Sequence, residues 1–485
     1  MDTQQTLQKQ FGDYVSPETV SLPASYAGPA PSPLLGFRLQ RSRFWRDPVP
    51  YLDATYKKYG LMSSLGSDPP EWIFTFSPQS NQQLTEEVDL FHWTSGKRWA
   101  ATDSILGILR SNISNTDGDE YRRRRILMTP AFHGNWLGGW RDAMAAQTEQ
   151  AVAKWQTGEV KDIHEEFNRL VHAISIKTVL GVDDPAVVAR FYHLVKKLYA
   201  TSLGLGTALF PYDLPGTPYR RMIRTVTELL DIFRVVIADK RARGGAPTDM
   251  LGAMMSATTP DGSTLTDTEL ISESFNIMGH ETTMAALIWT LIFIVQHPEV
   301  NAGLVDELTS VLRGGAPTLQ DLTKLPLLDR VVKESTRLMP PQLFTRRFNT
   351  APCTFGPYNL QKGAMIVYSS YITHRLPSIY PEPQRFRPER WETIKPSLYE
   401  YFPFGTGIHS CIGRTFATME IKIILAIVLQ RFRPQLVDGV RIDRMPRAML
   451  LLRPSGAIPI KLSAPDRQFR ASTITGNLLE MVDFA

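Results

Sequence analysis

Two cysteines in 485 residues, Cys353 and Cys411, are too few for a disulfide framework. They are also too few for an iron–sulfur cluster held by four thiolates, which excludes a ferredoxin-type domain in this chain. Long apolar runs are scarce as well. The longest, Met284–Val295 and Ile423–Leu429, fall well short of the roughly 20 residues that cross a bilayer, so no membrane span is expected. Before Arg38 the only basic residue is Lys9, set against Asp2, Asp13 and Glu18, which argues against a secretory or mitochondrial presequence. Neither sign of charge dominates: the net charge is +5 and the basic residues are scattered. That pattern excludes the basic, aromatic-striped face of a nucleic-acid binder and reads as an ordinary solvated surface. The expectation is a soluble, cytoplasmic protein. With 43% hydrophobic and 21% charged residues it has the composition of a large globular core.

What is present concentrates near the C-terminal end, in Phe404-Gly405-Thr406-Gly407-Ile408-His409-Ser410-Cys411-Ile412-Gly413. The apolar run Met419–Leu429 that follows predicts a buried helix starting just after Cys411. A thiol at a helix N-terminus is expected to titrate low and to behave as a metal-binding thiolate. A buried structural cysteine after a Gly-rich turn is the plainer alternative. Fixed spacing of three glycines, Phe, His and Cys weighs against it.

This stretch closely resembles the haem-binding loop of the cytochrome P450 family, F-G-x-G-x-(R/H)-x-C-x-G, and every fixed position is met. The resemblance implies a mainly α fold with small β-sheets (α+β), haem b lying between a long central helix and the Cys-ligand loop. It implies Cys411 as axial iron ligand, with Phe404, Gly405 and Gly413 shaping the loop and His409 meeting a haem propionate.

Further motifs are tested against that reading. Tyr121 and Arg125 stand four apart on one helical face inside Tyr121-Arg122-Arg123-Arg124-Arg125, an arginine run that would otherwise be surface decoration. They resemble the family's W-x-x-x-R propionate clamp, with Tyr for Trp. The longest helical pattern, about Thr266 to His297, carries Met278-Gly279-His280-Glu281-Thr282-Thr283 at its centre. Gly and Thr in mid-helix are locally unfavourable, which hints at a site; the alternative is a kink made by Thr282 bonding back to the Met278 carbonyl. The family's (A/G)-G-x-(D/E)-T implies a dioxygen gap at Gly279 and proton relay through Glu281 and Thr282. Met278 departs from it and is expected to crowd one side of the iron. Glu334 and Arg337, three apart on a helix, precede Phe386-Arg387-Pro388-Glu389-Arg390-Trp391, so Glu334, Arg337 and Arg390 resemble the family's buried structural triad. Arg346 falls where relatives bind a propionate, with Arg347 beside it. Ile113, Leu209, Phe210, Met278, Leu343, Phe344 and Leu450 are the expected substrate-pocket residues.

The resemblance implies a monooxygenase that takes dioxygen, an apolar small molecule, and electrons from an external ferredoxin or flavodoxin with an NAD(P)H reductase. The 74 residues after Cys411 (485 − 411) are expected to be too few for a fused flavin reductase. Alternatives are a peroxide-driven or non-oxygenating haem-thiolate enzyme (dehydration or rearrangement) and a haem sensor. The expected organisation is an extended Pro/Gly-rich lead-in over 1–40, one catalytic domain over 41–464 and a loosely held polar tail over 465–485.

Overall fold

The computed structural model describes residues 28–66, 69–95, 104–132, 136–202, 207, 212–445 and 451–484. In chain order, α1 (Arg38–Arg46) and α2 (Pro48–Tyr59) lead to the hairpin β1 (Met62–Leu65) and β2 (Trp72–Thr75). Then come α3 (Pro78–Glu86), β3 (Phe91–His92), α4 (Ile105–Arg110), α5 (Gly118–Met128), α6 (Trp136–Val152), β4 (Val160–Asp162), α7 (Ile163–Ser175) and α8 (Pro185–Ser202). The second half contains α9 (Pro218–Arg243), α10 (Met250–Ser256), α11 (Asp267–Ile277), α12 (His280–Gln296), α13 (Pro298–Leu312) and α14 (Pro326–Leu338). β5 (Thr345–Asn349), β6 (Met365–Tyr368), α15 (Arg414–Arg431), β7 (Arg433–Leu436) and β8 (Pro459–Ser463) complete the frame. Helices dominate, as the expected α+β class requires.

Local chemistry sets these boundaries. Pro48 opens α2 and Gly60 ends it. Thr217 caps α9, its hydroxyl accepting from the Arg220 N–H, and Thr266 with Glu269 forms a capping box at α11. The five-stranded sheet runs β1-β2-β6-β5-β3, with β2 and β6 parallel and the other pairs antiparallel. A smaller sheet runs β4-β8-β7.

The expected single central helix is two. Gly279, at φ 45° and ψ 15°, is left-handed and separates α11 from α12. A side chain there would be strained, so the break belongs to the glycine. Thr282 does bond back, but to the Gly279 carbonyl (2.8 Å) rather than to that of Met278. Together Asp267–Gln296 is long and apolar enough to cross a membrane by length and composition, yet 78% of its most apolar 18-residue stretch is buried within the fold. Every residue of α12 except Thr282 is buried.

The C-terminal tail expected to be loosely held is instead packed. Leu478, Met481 and Val482 are buried in the main core, Ile474–Thr475 pairs in parallel with Val440–Arg441, and Arg385 binds Asp483 at 3.0 Å. Its few apolar side chains are enough to anchor it, because each falls on the inward side.

α15 is buried from Met419 to Leu429 and includes Glu420, 1% exposed, whose Oε1 has no hydrogen-bond partner among the described residues. Burial pushes its carboxyl up to about 8. A folded-state pKa raised above the unfolded value gives stability that is present in acid and lost as pH rises through the folded value. Glu420→Gln is therefore expected to raise the melting temperature more at pH 8 than at pH 5. Each pKa unit is worth about 1.4 kcal/mol, so the gain at pH 8 is a few kcal/mol. Equal shifts at both pH values would show that Glu420 does not titrate in that window.

Candidate functional site

The loop carrying Cys411 is pinned by its own backbone and by α5. The Cys411 N–H donates to the Phe404 carbonyl (2.8 Å) and Gly405 N–H to that of Phe402 (3.0 Å). Gly407, at φ +67°, has Thr85 of α3 so close that a Cβ would stand 2.9 Å from its carbonyl oxygen, so only glycine fits. From α5, Tyr121 Oη donates to the Ile408 carbonyl (2.7 Å) and Arg125 to that of Ser410 (2.8 Å). The four-residue spacing thus puts both side chains on the loop. α15 begins at Arg414, with Gly413 as its N-cap. A Cβ on Gly413 would meet Phe132 at 3.6 Å and the Cys411 sulfur at 3.9 Å.

Cys411 is exposed, yet enough protein surrounds its sulfur for burial to push the thiol up. The Gly413 N–H, Arg125 and Arg414 oppose this without reversing it. The expectation of a low-titrating thiol is corrected. The helix N-terminus starts beyond the cysteine, and desolvation outweighs the nearby cations.

His409 lies between Tyr121 and Trp93, with ring centroids 4.2 and 5.2 Å away. Burial, then Arg347 and Arg125, pushes it down to about 3, so it is neutral. Alternation along β5 sends neighbouring arginines to opposite faces. Arg347, 1% exposed, lies over Trp93 (4.5 Å), on the His409 side. Arg346 lies near Trp45 and Phe348, 6.0 and 5.9 Å from their rings. Of the two neighbouring arginines, it is Arg347 and not the expected Arg346 that stands on the His409 side. Burial lowers the Arg347 guanidinium below its ordinary value, and it has no carboxylate within ion-pair distance among the described residues. Its Nε is also unpartnered. Arg125, Arg347 and His409 thus form a donor-rich patch short of acceptors.

Across from α5, the arginine run ties down the central helix. Arg124, buried, binds Glu273 at 3.0 Å and Glu269 at 3.1 Å, and Arg123 also binds Glu269. Ser272 donates to the Ser111 carbonyl (2.8 Å), fixing the segment before Ile113. Gly279 and Thr282 are exposed at the α11–α12 break, while Glu281 is buried and ion-paired to Arg453. Burial raises the Glu281 carboxyl, and Arg453 partly offsets it. Met278 is buried and its carbonyl accepts from Ser175 (3.1 Å). Unlike Gly279 and Thr282, which follow it in sequence, Met278 is not exposed at the break.

Glu334, Arg337 and Arg390 form one buried network. Glu334 accepts from Arg337 Nε and Nη2 (2.9 and 2.8 Å), Arg390 Nε (2.8 Å), the Arg387 N–H (2.9 Å) and Trp391 Nε1 (2.9 Å). Arg337 also donates to the His374 carbonyl (2.8 Å), and His374 Nε2 accepts from the Phe402 N–H (2.9 Å). That chain of bonds ends two residues before Phe404. The triad and the cysteine loop are mechanically continuous.

Of the expected pocket residues, Ile113 and Leu343 are buried. Phe344 is taken up by an aromatic cluster with Phe44 (5.0 Å) and Trp45 (6.2 Å). Leu209, Phe210 and Leu450 lie outside the described residues. Sequence reading missed Arg453 and His172. Neither sits in a motif, and each reaches the site from a distant segment.

Comparison with known proteins gives a consistent picture. The family model described as Cytochrome P450 matches residues 27–462. The chain is 28% identical over 423 residues to cyclooctat-9-en-7-ol 5-monooxygenase of Streptomyces melanosporofaciens, covering 85% of this chain and 90% of that one. It is 26% identical over 469 residues to cytochrome P450 3A13 of Mus musculus, covering 90% and 91%. Among solved structures, retinoic acid bound cyanobacterial CYP120A1 is similar with a TM-score of 0.76 and 22% identity, over 87% of this chain and 96% of that one.

Proposed function

Because this chain belongs to the cytochrome P450 family, we propose that its monooxygenase activity is the insertion of one oxygen atom into an apolar small molecule, by hydroxylation or epoxidation. The observation that carries this reading is the pairing of a glycine-shaped Cys411 loop with the exposed Gly279 and Thr282 at the break in a buried helix. The residues present fit a haem. The buried Arg347, whose Nε has no partner among the described residues, suits two carboxylates together with Arg125 and His409, and Gly413 leaves room beside the sulfur. Cys411 would ligate the iron, and protoporphyrin IX (haem b) fits this set because it is held without covalent attachment. When bound, the haem supplies dioxygen activation, which a thiolate ligand favours.

The chain's own residues do the rest. Thr282, its hydroxyl bonded to Gly279, presents a polar atom at the break. Glu281, a buried carboxyl group one residue away, stands where it can pass a proton toward Thr282. The buried apolar side chains of Ile113 and Leu343 suit an apolar substrate. The relative named for cyclooctat-9-en-7-ol is consistent with such a preference. Electrons from a separate ferredoxin or flavodoxin with an NAD(P)H reductase, and a cytoplasmic location, belong to the same reading. The two-cysteine composition supports an external donor.

Incubation with a surrogate redox pair under ¹⁸O₂ tests the proposal: one labelled oxygen per product is expected. Unlabelled product, or turnover with peroxide alone, would favour the peroxide-driven alternative. The choice of Arg347 over Arg346 as a propionate partner has its own test. Arg347→Met is expected to weaken haem retention by about 1.5–3 kcal/mol, the worth of bonds to a charged group, while Arg346→Met leaves it unchanged. The reverse order, read by haem transfer to apomyoglobin, would restore the sequence-based choice.

A further inference from the structure

Glu281 faces more than Arg453. With His280 it lines a cavity of about 300 Å³ bounded by α7, α8 and the first turn of α12. The inner wall is a pair of imidazoles. His172 of α7 and His280 have ring centroids 3.8 Å apart and are 3% and 6% exposed. His172 donates from Nδ1 to the Asn168 carbonyl (2.7 Å), which fixes its Nε2 as an acceptor. That nitrogen and His280 Nε2 have no protein partner among the described residues, and His280 Nε2 stands 4.0 Å from a Glu281 carboxylate oxygen. Toward solvent the lining carries the Lys196–Glu165 ion pair (3.0 Å) and His164, whose ring donates to the Gly456 carbonyl (2.7 Å). Asp162, Tyr192 and Tyr199 are the other titratable groups facing the space. Both unpartnered ring nitrogens are buried behind the cavity surface, while Glu281, Glu165, Asp162, Lys196 and Tyr192 in the lining give a cavity of this size room and polar partners for several waters.

We propose that this cavity is the water-filled entrance by which protons reach Glu281, with His280, steered by His172, passing them on. The inference rests on the monooxygenase reading, in which substrate, dioxygen, two electrons from the external donor and two protons from bulk water give hydroxylated product and one water. Each proton moves from cavity water to one ring nitrogen of His280, while the proton on the other nitrogen passes to the Glu281 carboxylate. The imidazole resets by exchange with cavity water, and Glu281 hands its proton toward the Thr282 hydroxyl. Burial keeps both imidazoles neutral, His172 at about 4 and His280 well below its ordinary value, so neither stores charge. A neutral ring with one donor and one acceptor nitrogen is the form such a relay needs.

Two readouts decide it. In haem-loaded His280→Ala, peroxide released per electron pair is expected to rise several-fold and the solvent isotope effect on product formation to grow. Added imidazole should reverse both, and the carbon-monoxide spectrum should not move. Independently, in the ¹⁵N-histidine-labelled, diamagnetic reduced carbon-monoxide form, the ring N–H of His280 is expected to exchange with water within milliseconds. Unchanged peroxide yield and isotope effect in His280→Ala, or an N–H protected for minutes, would overturn the relay. Loss of the thiolate spectrum or of ¹⁸O incorporation in the parent protein would instead overturn the monooxygenase reading, and the exchange measurement would still stand on its own.

Discussion

Glu334→Ala is expected to destabilise the protein by about 3–5 kcal/mol, because it leaves two buried guanidinium groups without their counter-charge. Glu334 and Arg337 are fully buried, and five donors converge on the one carboxylate. Burial by itself would raise the Glu334 carboxyl, but Arg337 and Arg390 hold it below its ordinary value. Removing it does more than delete one bond. Arg337 also fixes His374, and His374 takes the Phe402 N–H, so the damage travels to the entrance of the cysteine loop. Denaturant unfolding of the haem-free chain measures the stability, and haem retention measures the loop. A loss under about 1 kcal/mol, the value of an exposed pair, would mean that the network is not the support of that loop.

Cys411→Ala is expected to behave in the opposite way. The residue is exposed and its sulfur takes part in no packing cluster, so haem-free stability should change by less than about 1 kcal/mol. Monooxygenase activity should disappear, because no other described side chain can supply a thiolate there; Cys353 lies on a different hairpin, paired with Leu360. Near-normal folding with no turnover is the signature of a ligand. A strongly destabilised variant would mark the cysteine as structural. Comparing the two substitutions separates the residues that build the loop from the one that uses it.

Much of this arrangement was legible in the sequence, for identifiable reasons. Helix ends at Pro48, Gly60, Thr217 and Thr266 follow from capping chemistry, which is local. The Phe404–Gly413 loop was legible because it resembles the cytochrome P450 haem-binding loop at every fixed position. The Glu334–Arg337 spacing was legible as a helical face, and the second arginine came from a motif. Long-range packing hid the rest. Nothing near Arg453 says that it meets Glu281, 172 residues away. The choice between Arg346 and Arg347 depends on the pairing of β5 with β6, Arg347 opposite Ile366. A one-residue shift in that pairing would reverse it. The tail misled because its composition is polar, while three inward apolar residues settle its fate. Gly279 was recognised as unfavourable in a helix, but composition does not distinguish a tolerated glycine from one that ends a turn.

The most direct test is the absorption spectrum of the haem-loaded, reduced, carbon-monoxide-bound protein, recorded for the parent chain and for Cys411→Ala. The thiolate-type band is predicted in the parent and its loss in the variant. A globin-type, histidine-ligated band in the parent, or a thiolate band that survives the substitution, would contradict the assignment of Cys411 as the iron ligand.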